Sequence, residues 1–294
     1  MSGPDDRRKE ESQAEATALA VGGEISEHDR RGATVPQRIQ RTLHKYPALA
    51  PLVFLAVMLV VFSFGNERFL TPFNFSLVVQ QVLFVGTLAI GQTIIILTAG
   101  IDLSVGAIAV FVSVIMGKLS ADFGVPGVAA LGIGLLFGTG CGLLNGLLIT
   151  RLKLPPFIVT LGTLSIFFAL NLYVSSSTTI DGRDMDPLLT ITGTRIDVPI
   201  IDTAVPVSSF AMLGMYAIMW YVLKYTAWGR HIYATGDDPE ASRLTGIRVD
   251  RVLLAVYAVA GLIYAIGAWF LIGRLDGASP VAGQTANLDT ITAV

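Results

Sequence analysis

Of 294 residues, 53% are hydrophobic and 14% charged, with a formal net charge of -2, against about 25% charged in an ordinary soluble domain. So few charges cannot cover a soluble surface, and no basic patch suits a nucleic-acid partner. The single cysteine, Cys141, excludes an intramolecular disulfide and a cysteine-rich metal site.

Residues 1–45 hold eight Lys/Arg and eight Asp/Glu, and 16–21 is their one apolar run. This predicts a disordered polar tail. The run is too short to span a membrane, and the next starts too late for a usual signal peptide. No cleavage is therefore expected, and the first span doubles as the anchor. Seven candidate spans follow, at roughly 46–65, 77–97, 104–117, 126–150, 156–175, 208–224 and 252–272. The third is short, and 288–294 begins an eighth. The fold class is all-α: a polytopic bundle with broken or short helices where glycine and proline interrupt the spans. Residues 46–294 form its transmembrane domain.

Lys/Arg counting orients the chain. With the N-terminus in the cytoplasm, inside segments hold 15 Lys/Arg and outside segments five. This places 224–251 inside and 176–207 outside. The outer loop carries β-like patches at 189–191 and 196–201, which predict a short ordered flap. Asp181, Asp184 and Asp186 lack the spacing of a calcium loop and enclose Arg183. No metal site is expected there.

Gly134, Gly138, Gly142 and Gly146 recur every four residues and line one helix face, so a neighbouring helix can approach closely. Leu135 is expected to face lipid. Asn145, beside the stripe, is placed to hydrogen-bond across helices. Between the second and third spans runs Thr98-Ala-Gly-Ile-Asp-Leu-Ser-Val-Gly106. Gly100 can end one helix, and Asp102 or Ser104 can cap the next. The segment is either a tight turn or part of a pathway. Asp102 is the one acid beside residues 77–117, and Gln92 lies one or two turns earlier. Pro155 and Pro156 mark a helix entry preceded by Arg151 and Lys153. Further on, Asp237 or Asp238 can cap a short helix with Pro239 at its first position, and Gly246 suits its C-terminal stop. That helix either docks on another subunit or lies on its own membrane domain.

No G-x-x-x-x-G-K-[ST] is present, and His28, His44 and His231 all lie outside the spans. The chain is neither a P-loop ATPase nor a histidine-dependent intramembrane hydrolase. No catalytic residue and no cofactor is expected.

Three ordered motifs resemble one family: Gly91-Gln-Thr…Leu97-Thr-Ala-Gly-Ile-Asp-Leu-Ser-Val-Gly106, Gly229-Arg-His-Ile-Tyr-Ala-Thr-Gly-Asp-Asp-Pro-Glu-Ala-Ser-Arg-Leu-Thr-Gly-Ile247, and Leu288-Asp-Thr-Ile-Thr-Ala-Val294. They are similar to bacterial sugar-importer permeases of the ribose, xylose and arabinose type. The resemblance covers about residues 46–294. It implies the transmembrane subunit of an ATP-binding-cassette importer for a monosaccharide, in a bacterial plasma membrane. The implied partners are a cytosolic ATP-binding subunit, an extracytoplasmic sugar-binding protein and a second permease copy. By match, Gly229, Arg230, Tyr233, Gly236, Glu240, Ala241, Leu244 and Gly246 meet the ATPase, with Ser242 where the motif has its second alanine. Gln92, Gly100, Asp102, Ser104, Gly106 and Asn145 would shape the pathway. Family members continue past the third motif into further spans, whereas this sequence stops inside it, so the family's C-terminal spans are expected to be missing from it. The alternatives are an ion-coupled secondary transporter or channel, resting on Asp102, and a membrane-embedded enzyme.

Overall fold

The computed structural model describes residues 49–198, 203–283 and 285–294. The tail expected to be disordered lies outside the described residues. Two compact units divide the chain at Phe69 and Leu70. In the first, α1 (Leu49–Gly65) is apolar all round and buries no residue. The Phe62 and Phe69 rings meet at 5.7 Å. At 17 residues α1 is about 25 Å long.

The second unit is a helical bundle. It contains α2 (Pro72–Ile96), α3 (Val105–Ala121), α4 (Gly127–Leu152), α5 (Pro156–Ser175), α6 (Pro187–Thr190), α7 (Ser208–Tyr225), α8 (Ala227–Asp237), α9 (Pro239–Leu244), α10 (Val249–Leu275) and α11 (Ala286–Thr292). All seven expected spans appear as helices, with ends within a few residues of those read from the sequence. Four of them (α2, α4, α5 and α10) are long and apolar enough to cross a membrane. The shortness of α3 has a structural counterpart. Most of its residues are buried, so it is a central element surrounded by α2, α4, α5 and α10. At the end of α7, Lys224 Nζ lies 5.0 Å from the Trp220 ring centre, which suits an aromatic belt at a membrane interface.

The glycine face of α4 meets α10. A Cβ on Gly142 would overlap the Tyr257 carbonyl oxygen and stand 3.0 Å from Gly261 Cα. On Gly138 it would stand 2.7 Å from Ala265 Cβ. Gly134 instead faces the flexible Met116 side chain of α3. Leu135 does not face outward: it is half-buried against the core, and Leu136 is the 75% exposed neighbour. Successive helix positions differ by 100°, so a one-residue error changes the face.

The 176–207 segment is ordered where it is described. Strand β1 (Ile180–Asp181) pairs antiparallel with β4 (Gly277–Ala278), and β2 (Arg195–Val198) with β3 (Thr203–Pro206). The 189–191 patch is helical, not extended, because Asp186 caps α6 and Pro187 opens it. Of the 196–201 patch, 199–201 lie outside the described residues. Thr192 Oγ1 donates to the Trp269 carbonyl at 3.0 Å, and Trp269 Nε1 donates to the Leu188 carbonyl at 3.0 Å. The flap is thus tied to α10.

Asp186 accepts from the backbone N–H groups of Gly127 and Leu188, both at 2.9 Å. These bonds, the one from Gly127 first, hold its carboxyl below the usual carboxylate range. A depressed folded pKa adds stability above the unfolded value, near pH 4, and that stability is lost as pH falls through the folded value. Asp186→Asn should therefore lower the melting temperature at neutral pH. The gap from the unaltered protein should close as pH drops below about 4. Melting curves across pH test this, and a gap independent of pH contradicts it.

Candidate functional site

The turn between α2 and α3 is the polar centre of the bundle. Gly100 N–H donates to the Ile95 carbonyl at 3.0 Å and Ala99 N–H to Ile96 at 2.9 Å, a Schellman closure. The left-handed residue is Ala99, with φ of 58°, and not Gly100 as expected. Gly100 serves a different need: a Cβ there would sit 3.1 Å from both Ile95 Cγ2 and the Tyr257 hydroxyl. Beyond it, Asp102 Oδ1 accepts from Ser104 N–H at 2.7 Å and from Ser104 Oγ at 2.6 Å. Ser104 Oγ in turn accepts from Asn145 Nδ2 of α4 at 2.8 Å. Thr160 of α5 accepts from Leu103 N–H at 3.1 Å and donates to the Ile101 carbonyl at 3.1 Å. The Tyr264 hydroxyl of α10 donates to Gln92 Oε1 at 3.4 Å and also interacts with Asp102.

Gln92, Asp102, Ser104, Asn145, Thr160, Tyr257 and Tyr264 are all buried to 1% exposure or less. The expected residues Gln92, Gly100, Asp102, Ser104 and Asn145 thus converge. Gly106 stands apart, where a Cβ would meet Ala286 Cβ at 3.2 Å. Thr160, Tyr257 and Tyr264 join the converging residues without having been expected. The two tyrosines are seven residues apart, hence on one helix face, and that spacing was visible. Buried polar groups without partners are costly, yet Gln92 Nε2, Asn145 Oδ1 and the Tyr257 hydroxyl have none among the described residues. The cluster ties the α2–α3 turn to α4, α5 and α10. Its arrangement is that of a joint.

The second group begins where α7 turns into α8. Thr226 caps α8 by accepting from Gly229 N–H at 3.1 Å. A Cβ on Gly229 would overlap the Leu223 carbonyl oxygen, so glycine permits the bend. Asp238, not Asp237, caps α9, accepting from Glu240 N–H at 2.8 Å and Ala241 N–H at 3.0 Å. A Schellman closure ends α9: Ile247 N–H to the Ser242 carbonyl and Gly246 N–H to Arg243, both 3.0 Å. Gly246 has φ of 90°, as its C-terminal position anticipates. Arg230, Tyr233, Glu240, Ala241 and Leu244 point outward, Leu244 at 90% exposure. Ser242 is the buried side of α9. Gly236 joins the two groups: a Cβ there would overlap the Leu97 carbonyl oxygen. The C-terminal end of α8, from which the short helix α9 leaves, thereby packs on the start of the turn that carries Asp102.

The family described as branched-chain amino acid transport system / permease component matches residues 74–294. The chain is similar to the fructose import permease protein of Rhizobium meliloti, 43% identical over 277 residues, covering 92% of this chain and 76% of the relative. It is 37% identical over 246 residues to the ribose import permease protein of Bacillus subtilis, covering 84% and 74%. With the D-allose transport system permease protein of Escherichia coli it shares 32% identity over 231 residues, covering 78% and 69%. No solved structure matches.

Proposed function

We propose, for a chain that belongs to this transport-system permease family, that it is the membrane subunit of an ATP-driven monosaccharide importer. ATP hydrolysis then belongs to a separate chain. The observation that carries the reading is the contact of Gly236 with Leu97. Movement imposed on α8 and α9 from outside is transmitted through it to the 97–104 turn, and from there by hydrogen bonds to α4 and α5. The exposed faces of Arg230, Tyr233, Glu240, Ala241 and Leu244 meet a cytosolic ATPase, with Gly229 and Gly246 shaping the two helix junctions. Gln92, Gly100, Asp102, Ser104, Gly106 and Asn145 set the shape of the pathway. An extracytoplasmic sugar-binding protein delivers the cargo, and two permease copies work as a pair. The N-terminus and α8–α9 face the cytoplasm, and the 176–198 segment faces outward.

Two measurements test this. His231→Cys and Asp184→Cys, each in a Cys141→Ala background, place a thiol at either end of the bundle on exposed positions that carry no helix cap. In intact spheroplasts an impermeant thiol reagent should label position 184 and spare 231; the reverse overturns the orientation. The full-length protein, reconstituted with its ATPase and binding protein, should take up sugar only with ATP. Uptake driven by an ion gradient without ATP overturns the importer reading.

A further inference from the structure

Two clefts of about 530 and 590 Å³ open side by side where α4, α9 and α10 meet. Arg151, Arg248 and Arg251 line the first, Lys153 lines the second, and Arg243 and Asp250 line both. Five cations thus surround one carboxylate, and Asp250 pairs with Arg243 at 3.6 Å. Among the described residues, no carboxylate pairs with Arg151, Lys153, Arg248 or Arg251. All of these side chains are exposed. Arg248 and Arg251 stand at the N-terminal end of α10, where the helix dipole disfavours a cation, so helix stability does not account for them. The level of the cluster is also defined. α4 ends at Leu152, α5 begins at Pro156 and α10 begins at Val249, and all three are long and apolar enough to cross a membrane. The ends of such helices lie where a bilayer's headgroups lie. Beside the cations, Leu154 and Leu253 give the second cleft an apolar side. Leu152, Phe157 and Ile158 are exposed along the adjoining ends of α4 and α5.

We propose that the paired clefts hold the phosphate of an anionic phospholipid, with its acyl chains along Leu154, Phe157 and Ile158. Arginine suits a phosphate because its guanidinium offers two parallel N–H donors. Basic pockets between the ends of membrane helices are where such headgroups are held. A free phosphate uses the cations and leaves the apolar side idle, whereas a phospholipid matches both. The rival occupant is an acidic face of a soluble partner, and the exposed apolar ends of α4 and α5 disfavour it. A lipid seated there braces α4 against α10 at the base of α9. The inference stands apart from the importer reading, since it uses only the bundle's place in a bilayer.

The test measures binding of a fluorescent phosphatidylglycerol to the monodisperse full-length protein in mild detergent. Unlabelled phosphatidylglycerol should displace it, and neither phosphatidylcholine nor millimolar inorganic phosphate should. Arg151→Gln and Arg248→Gln should each weaken binding about fivefold, the contribution of one basic residue near an anionic surface. Arg151→Lys keeps the charge and should retain most of the affinity, which separates charge from packing. Arg183→Gln, near the opposite end of α4, should leave binding unchanged. Equal displacement by phosphatidylcholine, or an equal loss in Arg183→Gln, overturns the proposal. Displacement by inorganic phosphate makes the clefts a free-anion site and overturns the lipid. Release of bound phosphatidylglycerol on adding a co-purifying ATPase subunit assigns the clefts to that partner and overturns it as well. None of these outcomes bears on whether the transport cargo is a sugar.

Discussion

Gly142→Leu is expected to destroy the folded bundle, while Gly140→Leu, two residues earlier on the same helix, leaves it intact. Gly142 faces backbone: the Tyr257 carbonyl occupies the space of a Cβ, and Gly261 Cα lies 3.0 Å from it. Neither can rotate aside. Extra methylenes against movable side chains cost about 1–3 kcal/mol. Against a rigid helix backbone the cost is higher, because α4 and α10 must separate along their whole contact. Measured against a total stability of about 5–15 kcal/mol, this is a large fraction. Gly140 has no atom within 4 Å of a built Cβ and is exposed. Leucine there gains helix propensity of up to about 1 kcal/mol. The check is the monodisperse fraction by size exclusion after graded heating in detergent. Superimposable curves for the two variants would remove the glycine face from the account of packing.

Gly246→Val should leave membrane insertion and the bundle in place yet uncouple transport. No atom lies within 4 Å of a Cβ built on Gly246, so the penalty is conformational and not steric crowding with neighbours. At φ of 90° a side chain is strained, by about 1–2 kcal/mol in a left-handed conformation and more for a β-branched residue. The short helix α9 has few contacts to resist this, so the strain is relieved by opening its last turn. That re-aims the exposed Leu244. The full-length complex should then lose most of the rise in ATPase activity caused by sugar-loaded binding protein, and uptake should fall in parallel. Glu240→Ala should do much less. Glu240 makes only a favourable first-turn charge interaction, of about 0.3–1 kcal/mol. Asp238 keeps the cap. Stimulated ATPase activity and uptake, normalised to the amount of inserted protein, check both variants. Parental transport by Gly246→Val would show that the geometry of α9 is not used in coupling.

Features governed by the nearest few residues along the chain were legible in the sequence. The length and hydropathy of one segment are local properties, so all seven expected segments appear as helices, four of them long and apolar enough to cross a membrane. Caps and stops are also local: Asp238, Pro239 and Gly246 delimit α9 because side-chain capping and positive φ act within one turn. The glycine stripe announced close approach, since periodicity reports which face is small. Its partner was not legible, because Tyr257 and Gly261 lie more than a hundred residues away and helix pairing is chosen by the whole bundle. The same limit explains Ala99. Glycine is the cheapest residue at positive φ, so Gly100 was the expected choice. Tertiary packing shifted the turn by one position, using Gly100 to admit the Tyr257 hydroxyl and leaving the strained conformation to alanine. Leu135 turned inward because the rotation of α4 about its axis is set by α3 and α10, not by its own periodicity. The polar residues Gln92, Asp102, Ser104 and Asn145 were nameable one at a time, each as an exception to an apolar stretch. That they form a single joint, completed by Thr160, Tyr257 and Tyr264, depends on four helices converging on one turn. Hydrogen bonds between residues 41 to 172 positions apart have no signature in local sequence.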